Sequence, residues 1–176
     1  MRRLILMLLS VAGLLTGCDR GSARPDLGGG PALDPLTFFT GHLRSWGIME
    51  DRSGAPTGWI VTDCQGQADG ADRLRMIQHL TFQNAPPEER TWTMSRIDAR
   101  RFEATANDMV GLAKGDANGR MFHWKWILAA APGERPMAVT MEQWMYRLDD
   151  GSVMIRSTVS KLGVTLSEVS EVFRKV

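Results

Sequence analysis

The stretch from Arg73 to Gln83 sets the terms for the fold. Leu74, Met76, Gln78, Leu80 and Phe82 alternate there with Arg73, Arg75, Ile77, His79 and Thr81. A period of two puts the two sets on opposite faces of an extended chain, so this is a strand with one buried face. Phe122, Trp124, Trp126 and Leu128 repeat the pattern against Met121, His123 and Lys125. Runs of similar length cover Phe39–Asp51, Gly58–Gln67, Arg90–Ile97, Phe102–Asn107, Met137–Leu148, Val153–Lys161 and Val164–Arg174. Turn signals separate them: Arg52-Ser53-Gly54-Ala55-Pro56, Asp69-Gly70, Asn84-Ala85-Pro86-Pro87, Asn118-Gly119, Pro132-Gly133 and Asp150-Gly151. Roughly nine strands with short connections and no amphipathic helix predict an all-β chain, an antiparallel up-and-down barrel. Closure removes the sheet edges that invite aggregation, and a barrel of about eight strands has room for side chains or one small ligand. Strands such as Arg73-Leu74-Arg75-Met76 would set charge against lipid, which argues against a membrane-spanning barrel.

The N-terminus carries an address. Met1-Arg2-Arg3 precedes an apolar run from Leu4 to Leu15, and Leu15-Thr16-Gly17-Cys18 closes it. That is a charged start, a short apolar segment and small residues at a cut site. The run is too short for a helix crossing a hydrocarbon core that needs about 20 residues. Leu-x-Gly-Cys resembles the lipobox of bacterial lipoproteins, in which the cysteine takes the lipid and its amine becomes the mature N-terminus. Residues 1–17 are therefore expected to be a signal peptide and Cys18 the lipid-attachment site. Residues 18–35, rich in Gly and Pro, read as the lipidated cysteine and a flexible tether. Residues 36–176 form the barrel domain. Asp19 after the anchor resembles the inner-membrane retention signal of enteric bacteria, but other bacteria sort differently, so inner and outer membrane both stay open. The expected location is the periplasm-facing side of the cell envelope.

About 159 residues then remain, enough for one domain. The net charge is +1 with acids and bases interspersed, so no basic stripe exists to track a nucleic acid. With Cys18 acylated, Cys64 has no partner within the chain, and a monomer with a free, buried thiol is expected. His42, His79 and His123 lack metal-ligand spacing, and no Gly-x-Ser-x-Gly elbow, P-loop or dinucleotide fingerprint occurs. No catalytic residue, metal or cofactor is assigned, and enzymatic activity is not expected. Gly111–Gly119 looks like a phosphate cradle but sits between strands with no helix after it, so it reads as a hairpin connection.

The interior wall follows from hairpin arithmetic. If Asp149–Ser152 turns as a two- or four-residue loop, Leu148 pairs with Val153, Tyr146 with Ile155 and Trp144 with Ser157. Trp144 and Tyr146 then share the inner face with Val153, Ile155 and Val159, beside Phe122, Trp124 and Trp126 on the preceding strand. Val139 and Met141 carry the opposite parity, which would require a bulge near Glu142. Gln78 and Glu142 fall among these apolar faces, and a buried amide or carboxylate needs a partner, whether protein, water or ligand. The candidate ligand-binding set is thus Gln78, Phe122, Trp124, Trp126, Glu142, Trp144 and Tyr146, with a plain aromatic core as the competing explanation.

Phe102–Gly111 with Asn118–Trp126 form one motif block. Trp144-Met145-Tyr146, Asp149-Asp150, Arg156, Ser160-Lys161-Leu162-Gly163 and Glu168-Val169 form a second. With Trp46-Gly47-Ile48, Asp51-Arg52-Ser53-Gly54 and Arg90-Thr91-Trp92, they resemble the small bacterial lipoproteins grouped as domain of unknown function 3833. The resemblance runs from about Phe38 to the C-terminus. It implies a lipocalin-like barrel with no established activity. The family pattern has Glu where this chain has Gln78, which argues against any role needing a carboxylate there. The expected function is a membrane-anchored lipoprotein that binds or shuttles a small apolar ligand such as a fatty acyl chain. The alternatives are a structural or assembly lipoprotein with a filled core, acting through its surface, and, well behind, a lipid-modifying enzyme.

Overall fold

In the computed structural model, residues 29–129 and 138–176 are described. Cys18, most of the tether and the Pro132-Gly133 turn lie outside the described residues. After a short helix α1 (Pro35–Phe39) come β1 (Gly41–Asp51), β2 (Pro56–Ala68), β3 (Arg73–Phe82), β4 (Glu88–Arg96) and β5 (Arg101–Ala106). Then follow β6 (Met109–Asn118), β7 (Met121–Leu128), β8 (Val139–Arg147), β9 (Val153–Lys161) and β10 (Val164–Lys175). Each strand pairs antiparallel with its sequence neighbours, and β10 returns to β1, so the meander closes into a barrel. This is the expected architecture with one strand more.

The additional strand is β6, which covers most of the glycine-rich segment read as a connection. Nothing in Gly111-Leu112-Ala113-Lys114-Gly115-Asp116 favours a strand intrinsically, yet β5 and β7 flank it and supply ladder partners on both sides. Its register slips between Val110 and Lys114, a bulge that lets the stretch stay in the sheet.

The short helix was not expected either. Pro35 occupies its first turn, where the missing N–H costs nothing. Asp34 caps it, Oδ1 accepting from the Leu36 and Thr37 amides at 3.0 and 3.3 Å, while Oδ2 accepts from Arg96 Nη2 at 2.6 Å. Five residues would not hold a helix in water. This one persists because Leu36, Phe38 and Phe39 are buried, each side chain worth about 1.5–3 kcal/mol on burial. Phe39 meets Phe173 edge to face at 5.7 Å, so α1 plugs the end of the barrel where β1 begins and β10 ends. Gly66 belongs to the same fit, since a side chain there would run into the Phe39 carbonyl. Packing begins earlier than the tether reading placed it: Leu33 is buried, and its amide donates to the Gly119 carbonyl at 2.8 Å. Among the described residues, every member of the core cluster lies between Leu33 and Phe173. Protein lacking residues 1–18 therefore retains every core residue and every strand seen among the described residues.

The register of β8 corrects the hairpin arithmetic. Arg147, not Leu148, pairs with Val153, followed by Tyr146 with Met154, Met145 with Ile155, Trp144 with Arg156 and Gln143 with Ser157. The connection is five residues long, closed by Leu148 N–H to the Ser152 carbonyl at 2.8 Å and Gly151 N–H to the Leu148 carbonyl at 3.1 Å. An odd loop reverses the parity of the strand before it. Met141, Gln143 and Met145 therefore face inward and Glu142, Trp144 and Tyr146 outward, with no bulge along β8.

Candidate functional site

Three indoles form one wall of the interior. Trp92 comes from β4, Trp124 and Trp126 from β7, and all three are buried because their strands alternate apolar-in. Trp92 stacks on Trp124 at 4.8 Å and meets Trp126 edge-on at 5.1 Å. Buried indole N–H groups need acceptors. Trp92 Nε1 donates to Gln78 Oε1 at 2.9 Å, and Trp124 and Trp126 Nε1 both donate to Gln143 Oε1, at 2.7 and 3.1 Å. Gln143 Nε2 in turn donates to Ser157 Oγ at 2.8 Å. Two glutamine side chains thus lock the rings in place.

Across the interior, β10 presents Glu171, buried to 9 % exposure. Its Oε1 accepts from Ser45 Oγ of β1 at 2.8 Å and Thr62 Oγ1 of β2 at 3.1 Å. Its Oε2 takes no hydrogen bond among the described residues. Gly47 stands directly opposite Glu171 in the ladder, and a side chain there would overlap the Glu171 Cγ and the Ser170 carbonyl. Burial pushes the Glu171 carboxyl above the ordinary range, and the Ser45 and Thr62 hydroxyls and the Arg90 charge only partly offset that. Arg90 is itself engaged: its Nε donates to Asp108 Oδ2 at 2.6 Å, and its guanidinium lies 4.9 Å from the Trp126 ring centroid.

Between these walls lies a cavity of about 40 Å³, bounded by Trp92, Trp124, Gln78, Arg90 and Glu171, with Phe39 of the plug on one side. At about 10–15 Å³ per enclosed water this holds roughly three waters. It is far smaller than the ~300 Å³ or more of pockets that enclose drug-sized ligands.

Of the residues chosen from sequence, Gln78 and Trp124 line the cavity, Trp126 packs against Trp92, and Phe122 is wholly buried beside Trp124. Glu142, Trp144 and Tyr146 belong to the outer face, contrary to expectation, for the loop-length reason given above. There Glu142 accepts from His123 at 2.9 Å and pairs with Lys125 at 3.1 Å. Partial burial alone would raise its carboxyl, but those two partners outweigh it and hold the group below its usual value. Trp144 stacks on His123 at 3.9 Å, and Tyr146 is buried although its register is outward. Cys18 lies outside the described residues. Cys64 is free and fully buried, and burial, with a lesser push from Asp63, raises its thiol to about 12. Among the described residues, no group of three His, Cys, Asp or Glu side chains is placed to hold a metal, and no helix is long and apolar enough to cross a membrane.

Sequence reasoning passed over Trp92, Arg90, Gln143, Ser45, Thr62 and Glu171. Gln143 had a signal in its parity with Met141 and Met145, and Glu171 in its parity with Val169 and Phe173. A polar residue alternating with large apolar ones marks a buried polar position.

The family profile described as "Protein of unknown function (DUF3833)" matches residues 12–175. No curated protein is matched. Among solved structures, the chain resembles the S-type phycobiliprotein lyase CPES from Guillardia theta, with a TM-score of 0.55 and 10% sequence identity. The likeness covers 80% of this chain and 90% of that one and is a likeness of fold, a lipocalin-like barrel.

Proposed function

The chain belongs to the DUF3833 family, and on that premise we propose that it is a lipid-anchored envelope protein whose barrel binds a small, largely apolar ligand. The apolar part rests on the Trp92–Trp124 wall, and the polar end meets Gln78 and Glu171. One observation carries the reading: a buried carboxyl keeps one oxygen unpaired beside a cavity walled by stacked indoles. Both hydroxyl partners of Glu171 sit on Oε1, so Oε2 is the oxygen left for a water or a ligand in the cavity that Glu171 lines. A fatty acyl chain is the ligand class that fits. About three waters' worth of space admits its head group, and the adaptable side chains of Met76 and Met145 border the cavity where the chain must follow. Cys18 carries the anchor, and the protein acts as a monomer at the periplasm-facing side of the inner or outer membrane.

The small resting cavity favours a second reading, a filled barrel that acts through its outer surface. Titration separates the two. Protein lacking residues 1–18, mixed with decanoic acid and its methyl ester, should show saturable quenching of tryptophan fluorescence. A filled barrel gives none. The anchor is tested separately: Cys18→Ser should release the protein from membranes, because three acyl chains at ~0.8 kcal/mol per buried CH₂ hold it there where one would be marginal. Retention after a high-salt wash would refute the lipid attachment.

A further inference from the structure

The two hydroxyls that contact Glu171 both donate into one oxygen. Ser45 and Thr62 each direct their O–H at Oε1, which leaves Oε2 as the atom available to the cavity. The groups that face Glu171 from the surrounding strands are Ser45 from β1, Thr62 from β2, Arg90 from β4 and Ile155, its ladder partner on β9. Arg90 and Glu171 are the only ionisable side chains that line the cavity among the described residues. The guanidinium charge is already opposed by Asp108 at 2.6 Å and by Glu88 at 3.9 Å. Among the described residues, no uncommitted cation therefore lines the cavity to seat a carboxylate ligand. A second cavity-lining group is in the same state as Oε2: Gln78 Oε1 is taken by Trp92, and Gln78 Nε2 makes no hydrogen bond among the described residues.

We propose that Glu171 Oε2, as an O–H donor, and Gln78 Nε2 together seat the carbonyl oxygen of a neutral acyl ligand, an ester or an undissociated acid. A carbonyl oxygen has two lone pairs and so accepts from both. With Oε1 occupied as a double acceptor, the carboxyl proton belongs on Oε2. Burial of the carboxyl favours its protonated form. An ionised fatty acid would bring a negative charge into a chamber whose one cation is spent, and an alkylamine would bring donors to donors. This deepens the acyl-ligand reading above and rests on it.

The test uses protein lacking residues 1–18, which retains every core residue seen among the described residues, titrated with methyl decanoate, decanoic acid and decylamine between pH 4 and 9. Fold is followed by circular dichroism at each pH. The ester does not ionise, so its pH dependence reports the protein alone. Its affinity should hold at low pH and fall about tenfold per pH unit once Glu171 ionises. Decanoic acid should weaken more steeply, and decylamine should bind worst. Glu171→Gln, whose amide still accepts from Ser45 and Thr62 and still offers an N–H to the cavity, should retain ester binding and lose the pH dependence. Glu171→Leu should lower ester affinity at least tenfold. Ester affinity that is constant across the range in the wild type would overturn the proposal, as would a preference for decylamine. A Glu171→Gln variant that no longer binds would do the same. Absence of saturable binding by all three probes would instead remove the acyl-ligand reading itself.

Discussion

Two polar clusters share this core and are built to different standards. On one wall, Gln143 closes a circuit: both indole N–H groups end on its carbonyl oxygen, and its amide ends on Ser157. On the other, Glu171 closes half of one, with Oε1 doubly bonded and Oε2 open to the cavity. A closed network rigidifies a core, while a half-closed one leaves an atom free for a further partner. The first cluster accounts for why the tryptophans stand where they do. The second leaves one carboxyl oxygen without a hydrogen bond on a residue that lines the cavity, which is the reason to propose a ligand for it.

The largest expected effect comes from breaking the closed cluster. Gln143→Leu strands two indole N–H groups and the Ser157 hydroxyl, at about 1–3 kcal/mol per unsatisfied buried group. Over the three groups, a loss of about 3–9 kcal/mol in chemical denaturation is expected. A loss below about 1 kcal/mol would mean that Gln143 does not hold the wall.

Next in size is the contrast between inner and outer faces of adjoining strands. Trp124→Ala should cost about 3–5 kcal/mol as a buried aromatic. Trp144→Ala removes a ring stacked on His123 on the outer wall and should cost about 1 kcal/mol or less. Equal losses would restore the parity that a two- or four-residue loop implied.

The smallest signal is an absence of reaction. Cys64 is the ladder partner of Gln78, is fully buried and has its thiol held near 12. In the folded protein it should resist a thiol-specific alkylating reagent at pH 8, since the thiolate is the reactive form. Rapid labelling would mean that the interior opens far more readily than a closed core allows.

Much of this fold was legible in the chain. The alternation in Arg73–Phe82 and Met121–Leu128 named their inner faces correctly, and turn signals placed most strand ends. Three features were not legible, each for a physical reason. β6 has strand character only because its neighbours impose it. The helix Pro35–Phe39 exists only because the barrel end buries it. The inner face of β8 hung on the length of one loop, and a single residue there moved Glu142, Trp144 and Tyr146 outside and brought Gln143 in. The candidate site was half visible. Gln78 and Trp124 could be placed from one strand each, but Glu171 acquires meaning only through Ser45, Thr62 and Gly47, which lie more than a hundred residues away in sequence.

The most direct test of the difference between the two clusters is the pH dependence of folding stability in wild type against Glu171→Gln. The folded-state carboxyl titrates above its unfolded value. As pH rises out of the ordinary carboxylate range, the unfolded chain releases this proton while the folded chain keeps it. Wild-type stability, measured relative to Glu171→Gln, should therefore be fully present below the unfolded value. It should fall by up to ~1.4 kcal/mol per pH unit until the folded value is passed, and then level off. A difference that stays flat, or that grows in favour of the wild type as pH rises, would mean that Glu171 is a satisfied carboxylate like any structural one, and would contradict the account.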